Sequence, residues 1–205
     1  LGFEVKIIKR ENQITAKSNG GITKEIYIYP ESSKYSNRDF VWSLSIFTLE
    51  EEEFIFEDLP NYERYIMPIN GQLKLEHKGY YRTKLMPFES DWSLGEWITY
   101  GKGKSVNFSL VLAKGLKGCI DSLKIKDGIY VDDMIWNGDK EFKREAKALY
   151  CCNEGFSVEF NNYQYSLNAG EMLLIIGDSV KGKEQIKLFS SCDEVMIVKA
   201  EVLFN

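Results

Sequence analysis

Apolar and polar positions alternate along almost the whole chain, in short runs broken by Gly and Asn. "FEVKIIK", "FVWSLSIFTL", "QLKLEH" and "YYRTKL" show the pattern early; "SVNFSLVLA", "FSVEF", "YQYSL" and "EVMIVKAEVLF" repeat it later. A period of two marks strands, whose successive side chains point to opposite faces. The runs are rich in Ile, Val, Leu, Phe and Tyr, the residues that suit a pleated surface. Many short strands at close spacing predict an all-β sandwich or barrel. Helical periodicity is poor, and the best short helix candidate is around "GDKEFKREA", residues 138–146.

Two stretches carry more than strand propensity. In "NGGITKEIYIYP", residues 19–30, alternation puts Ile22, Ile26 and Ile28 on one face and Thr23, Glu25, Tyr27 and Tyr29 on the other. That second face either meets solvent or lines a pocket. In "RDFVWSLS", residues 38–45, Phe40, Trp42 and Leu44 share one face and Val41, Ser43 and Ser45 the other. A strand with apolar residues on both sides is usually enclosed on both sides. Trp42 reads as a core residue, and Ser45 as a small polar group able to bond a ligand or a backbone group.

A weak internal repeat sharpens the architecture. "YIMPINGQLKLEHKGYYRTKLMPFES" is similar in layout to "LYCCNEGFSVEFNNYQYSLNAGEMLLI". Each is an apolar strand, a glycine (Gly71, Gly155), an alternating strand, a turn and another strand. The "LNAGEMLLI" segment also looks like a turn that recurs in cupin barrels. The architecture this suggests is two tandem cupin-like β-barrels in one chain, a bicupin. The expected division is 1–115 for the first barrel and 116–205 for the second, with strands free to be exchanged between the halves.

Composition narrows the function classes. At 205 residues the chain is long enough for a substantial core. Its formal charge of −5 argues against a general nucleic-acid binder, which would be basic. No apolar run approaches a membrane span, and "LGFEVKIIKR" carries charges throughout, so it does not read as a signal peptide. The four cysteines, Cys119, Cys151, Cys152 and Cys192, include no Cys-x-x-Cys pair and read as free thiols of a cytoplasmic protein.

Searches for catalytic chemistry return little. His77 is the sole histidine, so a cupin metal site of two or three histidines cannot form. "GKGKS", residues 101–105, lacks the upstream glycine of a P-loop, and no Gly-x-Ser-x-Gly elbow occurs. No catalytic residue, metal or cofactor is assigned. The informative residue is Arg64 in "YERYIMPI", on a face with Tyr62 and Ile66. A cation on such a face needs a partner. Glu25 or a ligand carboxylate qualifies, and the planar guanidinium suits a carboxylate's two oxygens. The plainer reading is a rim arginine that snorkels its head to water.

These stretches together resemble the HutD family, associated with histidine utilisation. Asn19, Gly20, Gly21, Thr23, Glu25 and Ile26 match its opening pattern, and Pro30 follows. Arg38, Asp39, Phe40, Trp42 and Ser45 match a second, with Ser43 where the family usually has Arg. Phe54, Phe56, Pro60 and Arg64 match a third, and Gly71, Pro87, Phe88 and Phe108 continue the order. Asn107 and Ser109 replace an Asp and an Asn, which marks a divergent member. The resemblance implies a metal-free cytoplasmic bicupin that binds a small acidic metabolite, formylglutamate- or urocanate-like, and regulates histidine breakdown. The expected ligand-binding set is Arg64, Thr23, Glu25, Trp42, Ser45 and Ser109. In it Arg64 holds the carboxylate, Glu25 orients Arg64 and balances its charge, Thr23 and Ser45 donate hydrogen bonds, and Trp42 forms an apolar wall. No nucleic acid or membrane partner is expected, and a homodimer is left open. The alternative is a metal-independent cupin enzyme, an isomerase or lyase acting on a small acid or sugar.

Overall fold

The computed structural model describes residues 2–18, 20–126, 128–136, 139–179 and 182–205. Alternation becomes strand nearly everywhere. β1 (Phe3–Ile8) is followed by β2 (Ile14–Ser18), β3 (Gly21–Tyr29), β4 (Trp42–Leu49), β5 (Glu53–Ile55) and β6 (Tyr62–Gly71). Next come β7 (Leu73–His77), β8 (Tyr81–Leu85), β9 (Asp91–Leu94), β10 (Thr99–Lys102) and β11 (Ser105–Ala113). The later chain gives β12 (Lys117–Lys126), β13 (Ile129–Trp136), β14 (Arg144–Cys151) and β15 (Phe156–Phe160). It ends with β16 (Tyr163–Leu167), β17 (Met172–Asp178), β18 (Gly182–Phe189) and β19 (Glu194–Phe204). The helix considered over 138–146 does not form: residues 139–143 bend and Arg144 opens β14, while Gly138 lies outside the described residues. No helix among the described residues is long and apolar enough to cross a membrane.

The strands group into two units. Asn12–Leu116 forms the first; Leu1–Glu11 together with Lys117–Asn205 forms the second. The opening of the chain therefore departs from the expected 1–115 division. The cause is pairing: β1 lies antiparallel to β17, from Phe3 opposite Gly177 to Ile8 opposite Met172.

The first unit has a six-stranded sheet in the order β2-β3-β4-β11-β6-β9 and a four-stranded sheet β5-β10-β7-β8. The second has a five-stranded sheet β1-β17-β14-β19-β12 and a four-stranded sheet β13-β18-β15-β16. Substituting β12, β19, β14 and β17 for β4, β11, β6 and β9 reproduces the central order, and β13-β18-β15-β16 reproduces β5-β10-β7-β8. The repeat seen in the sequence is thus a repeat of topology. Its hairpins correspond: Leu73 opposes Leu85 as Phe156 opposes Leu167. Gly71 sits at positive φ against β11, where an added Cβ would collide with the Lys104 carbonyl.

Among the described residues, two apolar clusters lie in the first unit's interior. One contains Phe47, Leu49, Ile66, Leu73, Leu75 and Leu85, with Phe54 and Phe56 against it. The other contains Ile28, Phe40, Leu59, Tyr62 and Val111. Along β6, Tyr62 belongs to the second cluster and Ile66 to the first, so Arg64 stands between them. The second unit's core gathers Trp136, Leu149, Val158, Phe160, Leu173, Ile175, Ile197 and their neighbours.

One sequence reading changes here. The face shared by Thr23, Glu25, Tyr27 and Tyr29 is broken by a register shift between Glu25 and Tyr27. An extra residue in one strand reverses the alternation beyond it. Ile28 therefore joins the interior cluster, while Tyr27 and Tyr29 pack on the Trp42 ring, 5.2 and 5.7 Å between centroids. His77, the sole histidine, joins the two sheets of this unit. It ends β7 and is buried, with Nε2 2.9 Å from Asp91 Oδ2 and Nδ1 2.9 Å from Thr99 Oγ1. The Tyr81 hydroxyl donates to the other Asp91 oxygen at 2.9 Å. Since β7 belongs to the four-stranded sheet and β9 to the six-stranded one, His77 stitches the two sheets together.

Candidate functional site

A cavity of about 500 Å³ opens in the first unit. Its floor is the six-stranded sheet, and pairing fixes which residues stand on it. Glu25 opposes Ser45, Ser45 opposes Ser109, and Ser109 opposes Ile66. In the next row Ile28 opposes Ser43, Ser43 opposes Val111, and Val111 opposes Arg64. Thr23, opposite Phe47, extends the floor. Small hydroxyl side chains on β4 and β11 leave room above the sheet. Large ones at the same places would fill it.

The walls are aromatic and come partly from loops. Phe47, Phe54 and Phe56 line one part of the cavity, and Tyr35 and its neighbours Ser33, Lys34 and Ser36 another. Tyr35 begins a short 3-10 turn, Tyr35–Asn37, and stacks on Phe40 at 5.1 Å. Phe40 stacks in turn on Tyr62 at 4.5 Å, and the Tyr62 hydroxyl donates to the Phe40 carbonyl at 2.9 Å. The loop that closes the pocket is thereby tied to the strand that carries Arg64.

Arg64 dominates the electrostatics. It is 6 % exposed. Nη2 donates to the Glu57 carbonyl at 3.1 Å, and the guanidinium carbon lies 4.9 Å from the Phe56 ring centroid. Nη1 is buried with no acceptor. Burial pushes the Arg64 pKa down, while Tyr35 and the Glu57 carboxylate favour the charged form. The Glu57 carboxylate itself is engaged by Arg38 at 3.0 Å. A buried guanidinium with an idle N–H group costs free energy until an acceptor arrives.

Five of the six expected residues line this cavity: Arg64, Thr23, Glu25, Ser45 and Ser109. Trp42 does not. It is 0 % exposed and points to the opposite face of β4 from Ser43 and Ser45, where Tyr27 and Tyr29 pack on it. Glu25 does not pair with Arg64; β4 and β11 stand between their strands. Burial raises the Glu25 pKa, and no cation counters the effect. Reading the sequence missed Tyr35, Phe54, Phe56 and Ser43 as lining. Alternation in "FIFE" places Phe54 and Phe56 on one face, which was a usable signal; the loop residue Tyr35 carried none. Asn107 is buried beside the cavity floor rather than on its lining, and its Nδ2 donates to the Phe47 carbonyl at 3.1 Å.

Among the described residues no group of three or more His, Cys, Asp or Glu is placed to hold a metal ion. The lining offers a fixed cation, hydroxyls, one uncommitted carboxylate and aromatic walls. That set suits recognition of a small anion.

The HutD family model matches residues 13–116, which span the whole cavity and all of its lining. The chain belongs to the HutD family. HutD from Pseudomonas fluorescens SBW25, solved in a formate condition, shares 16 % identity, covering 96 % of this chain and 98 % of that one, with a TM-score of 0.67. A conserved protein of unknown function from Pseudomonas aeruginosa PAO1 shares 18 % identity, covering 97 % and 98 %, with a TM-score of 0.79. Vicilin from tomato, at 8 % identity, covers 96 % and 84 % with a TM-score of 0.66. These likenesses show the fold: a HutD bicupin, two cupin-like barrels of which the first unit holds the pocket. No curated protein matches the chain.

Proposed function

We propose that the first barrel binds a small carboxylic acid without transforming it, and that binding serves a regulator of histidine utilisation. One observation carries this reading: Arg64 is buried against the cavity with Nη1 lacking any acceptor. A carboxylate supplies two acceptors in one plane, and a forked, charge-assisted pair is roughly twice as strong per bond as a neutral one. Ser45, Ser109 and Thr23 stand near as further donors, and aromatic walls exclude water from the pair. The ligand is a small acidic metabolite of the formylglutamate or urocanate kind, as expected for a HutD protein working in the cytoplasm.

Calorimetry with formylglutamate, urocanate and unrelated organic acids tests the reading. Histidine-pathway acids should bind more tightly than the unrelated acids. Arg64→Lys keeps the charge and loses the fork, so it should weaken binding at least tenfold, about 1.4 kcal/mol. A folded Lys variant that binds as tightly as the parent would show that Arg64 is not the anchor.

A further inference from the structure

We infer that Glu25 is a second anchor in this pocket, and that the ligand is an amphoteric acid with a carboxylate at one end and an N–H-bearing group at the other. The inference rests on the carboxylate-binding reading of Arg64 and adds the chemistry of the opposite end.

Two acids line the cavity, Glu25 and Glu57. Glu57 already has Arg38. The Glu25 carboxylate has no hydrogen bond or ion pair among the described residues, and burial alone acts on its proton affinity. A carboxylate facing aromatic walls is costly unless something donates to it. Arg64 cannot serve. β3 and β6 are separated by β4 and β11, so their backbones stand about 14 Å apart at the usual spacing of neighbouring strands. The cavity therefore carries an idle donor at one side and an idle acceptor at the other. Between them Ser45 and Ser109 form a hydroxyl floor.

The backbone supports the same placement. The register shift lies directly after Glu25. It lets Glu25 and apolar Ile28 face the interior while Tyr27 and Tyr29 turn away. Bulges of this kind re-aim side chains beside binding sites. A molecule that reaches from Arg64 toward Glu25 answers both idle groups at once. A protonated amine, an imidazole or an amide N–H would suit the Glu25 end. An acid with a purely hydrocarbon tail would leave Glu25 buried and unsatisfied.

Calorimetry with two matched probes tests this: 3-(imidazol-4-yl)propionate and 3-phenylpropionate, alike in length and carboxylate but different in ring N–H. The parent should prefer the imidazole acid about tenfold or more. Glu25→Gln, checked by thermal melt for an intact fold, should lose most of that preference, holding the imidazole acid less tightly and the phenyl acid at least as tightly as the parent does. Equal affinity of the parent for both acids would overturn the role of Glu25 and leave the Arg64 reading standing. So would a preference that survives in Glu25→Gln. Failure of the parent to bind either acid would overturn the Arg64 reading, and this inference with it.

Discussion

The two barrels place a buried cation on corresponding strands and treat it in opposite ways. In the first, Arg64 on β6 faces Val111 on β11 and Ser93 on β9, both uncharged. In the second, Lys147 on β14 faces Glu201 on β19 and follows Glu145 on its own strand. Lys147 is 2 % exposed, lies 2.6 Å from Glu145 Oε1 and 3.2 Å from Glu201 Oε1, and sits 5.3 Å over the Trp136 ring. Glu145 is 0 % exposed. The second barrel satisfies its cation with its own carboxylates and an aromatic lid. The first leaves an N–H group idle beside a cavity. A duplicated scaffold can thus hold one copy as structure and keep the other open, and the difference comes down to which residues stand on neighbouring strands.

The largest effect should come from breaking the closed copy. Lys147→Met would take a cation from the buried Glu145 and from Glu201, and loss of one partner from a buried pair costs about 3–5 kcal/mol. Denaturant melts should show that loss. Adding Glu145→Gln and Glu201→Gln should recover much of it, since the carboxylates would no longer need a cation. Acid binding in the first barrel should be unchanged in the triple variant if the barrels divide the two roles as described.

Breaking the open copy should have the opposite profile. Arg64→Met leaves no buried carboxylate without a partner, because Glu25 is not paired to Arg64. We expect acid affinity to fall about 100-fold, near 2.7 kcal/mol, with stability unchanged or raised. If denaturant melts show a loss as large as that of Lys147→Met, then Arg64 is a structural cation like its counterpart, and the contrast fails.

A smaller effect is expected where the barrels close differently. β7 ends in His77 where β15 ends in Phe160, which packs on Phe3 at 5.2 Å between centroids. His77→Phe would copy the second barrel's solution but deprive Asp91 of its imidazole partner. The expected cost is about 1–3 kcal/mol, the desolvation of a group left unsatisfied, read by thermal melt. Asp91→Leu in the same chain should return part of it.

The smallest effect concerns Glu25, and its sign follows from its proton. Burial raises the Glu25 pKa above the ordinary value of 4.5, so the folded protein holds this proton to higher pH than the unfolded chain does. The stability this group contributes is present below 4.5 and declines as pH rises through the raised folded value. Glu25→Gln should therefore be neutral in acid and mildly stabilising at neutral pH. A variant that loses stability at neutral pH would show that Glu25 has a cation in the empty pocket.

Much of this arrangement could be read from the sequence, for a physical reason. Period-two alternation identifies strands and faces locally, so Thr23 was grouped with Glu25, Ser43 with Ser45, and Arg64 with Ile66, on faces that prove to be the pocket's, while Ser109 came from the family resemblance. Distances across a sheet are another matter. Nothing local states that β4 and β11 separate Glu25 from Arg64, so the expected pair between them was an inference about topology made from chemistry alone. Trp42 failed for a related reason: it shares a strand with Ser43 and Ser45, but odd and even positions cannot line the same cavity. The bulge after Glu25 escaped because a bulge is a property of two strands, and only one was in view. Tyr35 escaped because loops carry no periodicity.

The pairing of β1 with β17 sets an order of events during synthesis. β1 leaves the ribosome long before its partner β17 does. Asn12–Leu116 is continuous and can close on itself as it emerges, since units of this kind generally fold as they are made. Residues 1–11 must wait, tethered to a finished barrel, until Met172–Asp178 appears. That long closure costs only slightly more entropy than a short one, but its edge stays unpaired meanwhile, and unpaired edges recruit strangers. The charges of Glu4, Lys6, Lys9 and Arg10 disfavour such pairing while the segment waits. A strand made early is seated late.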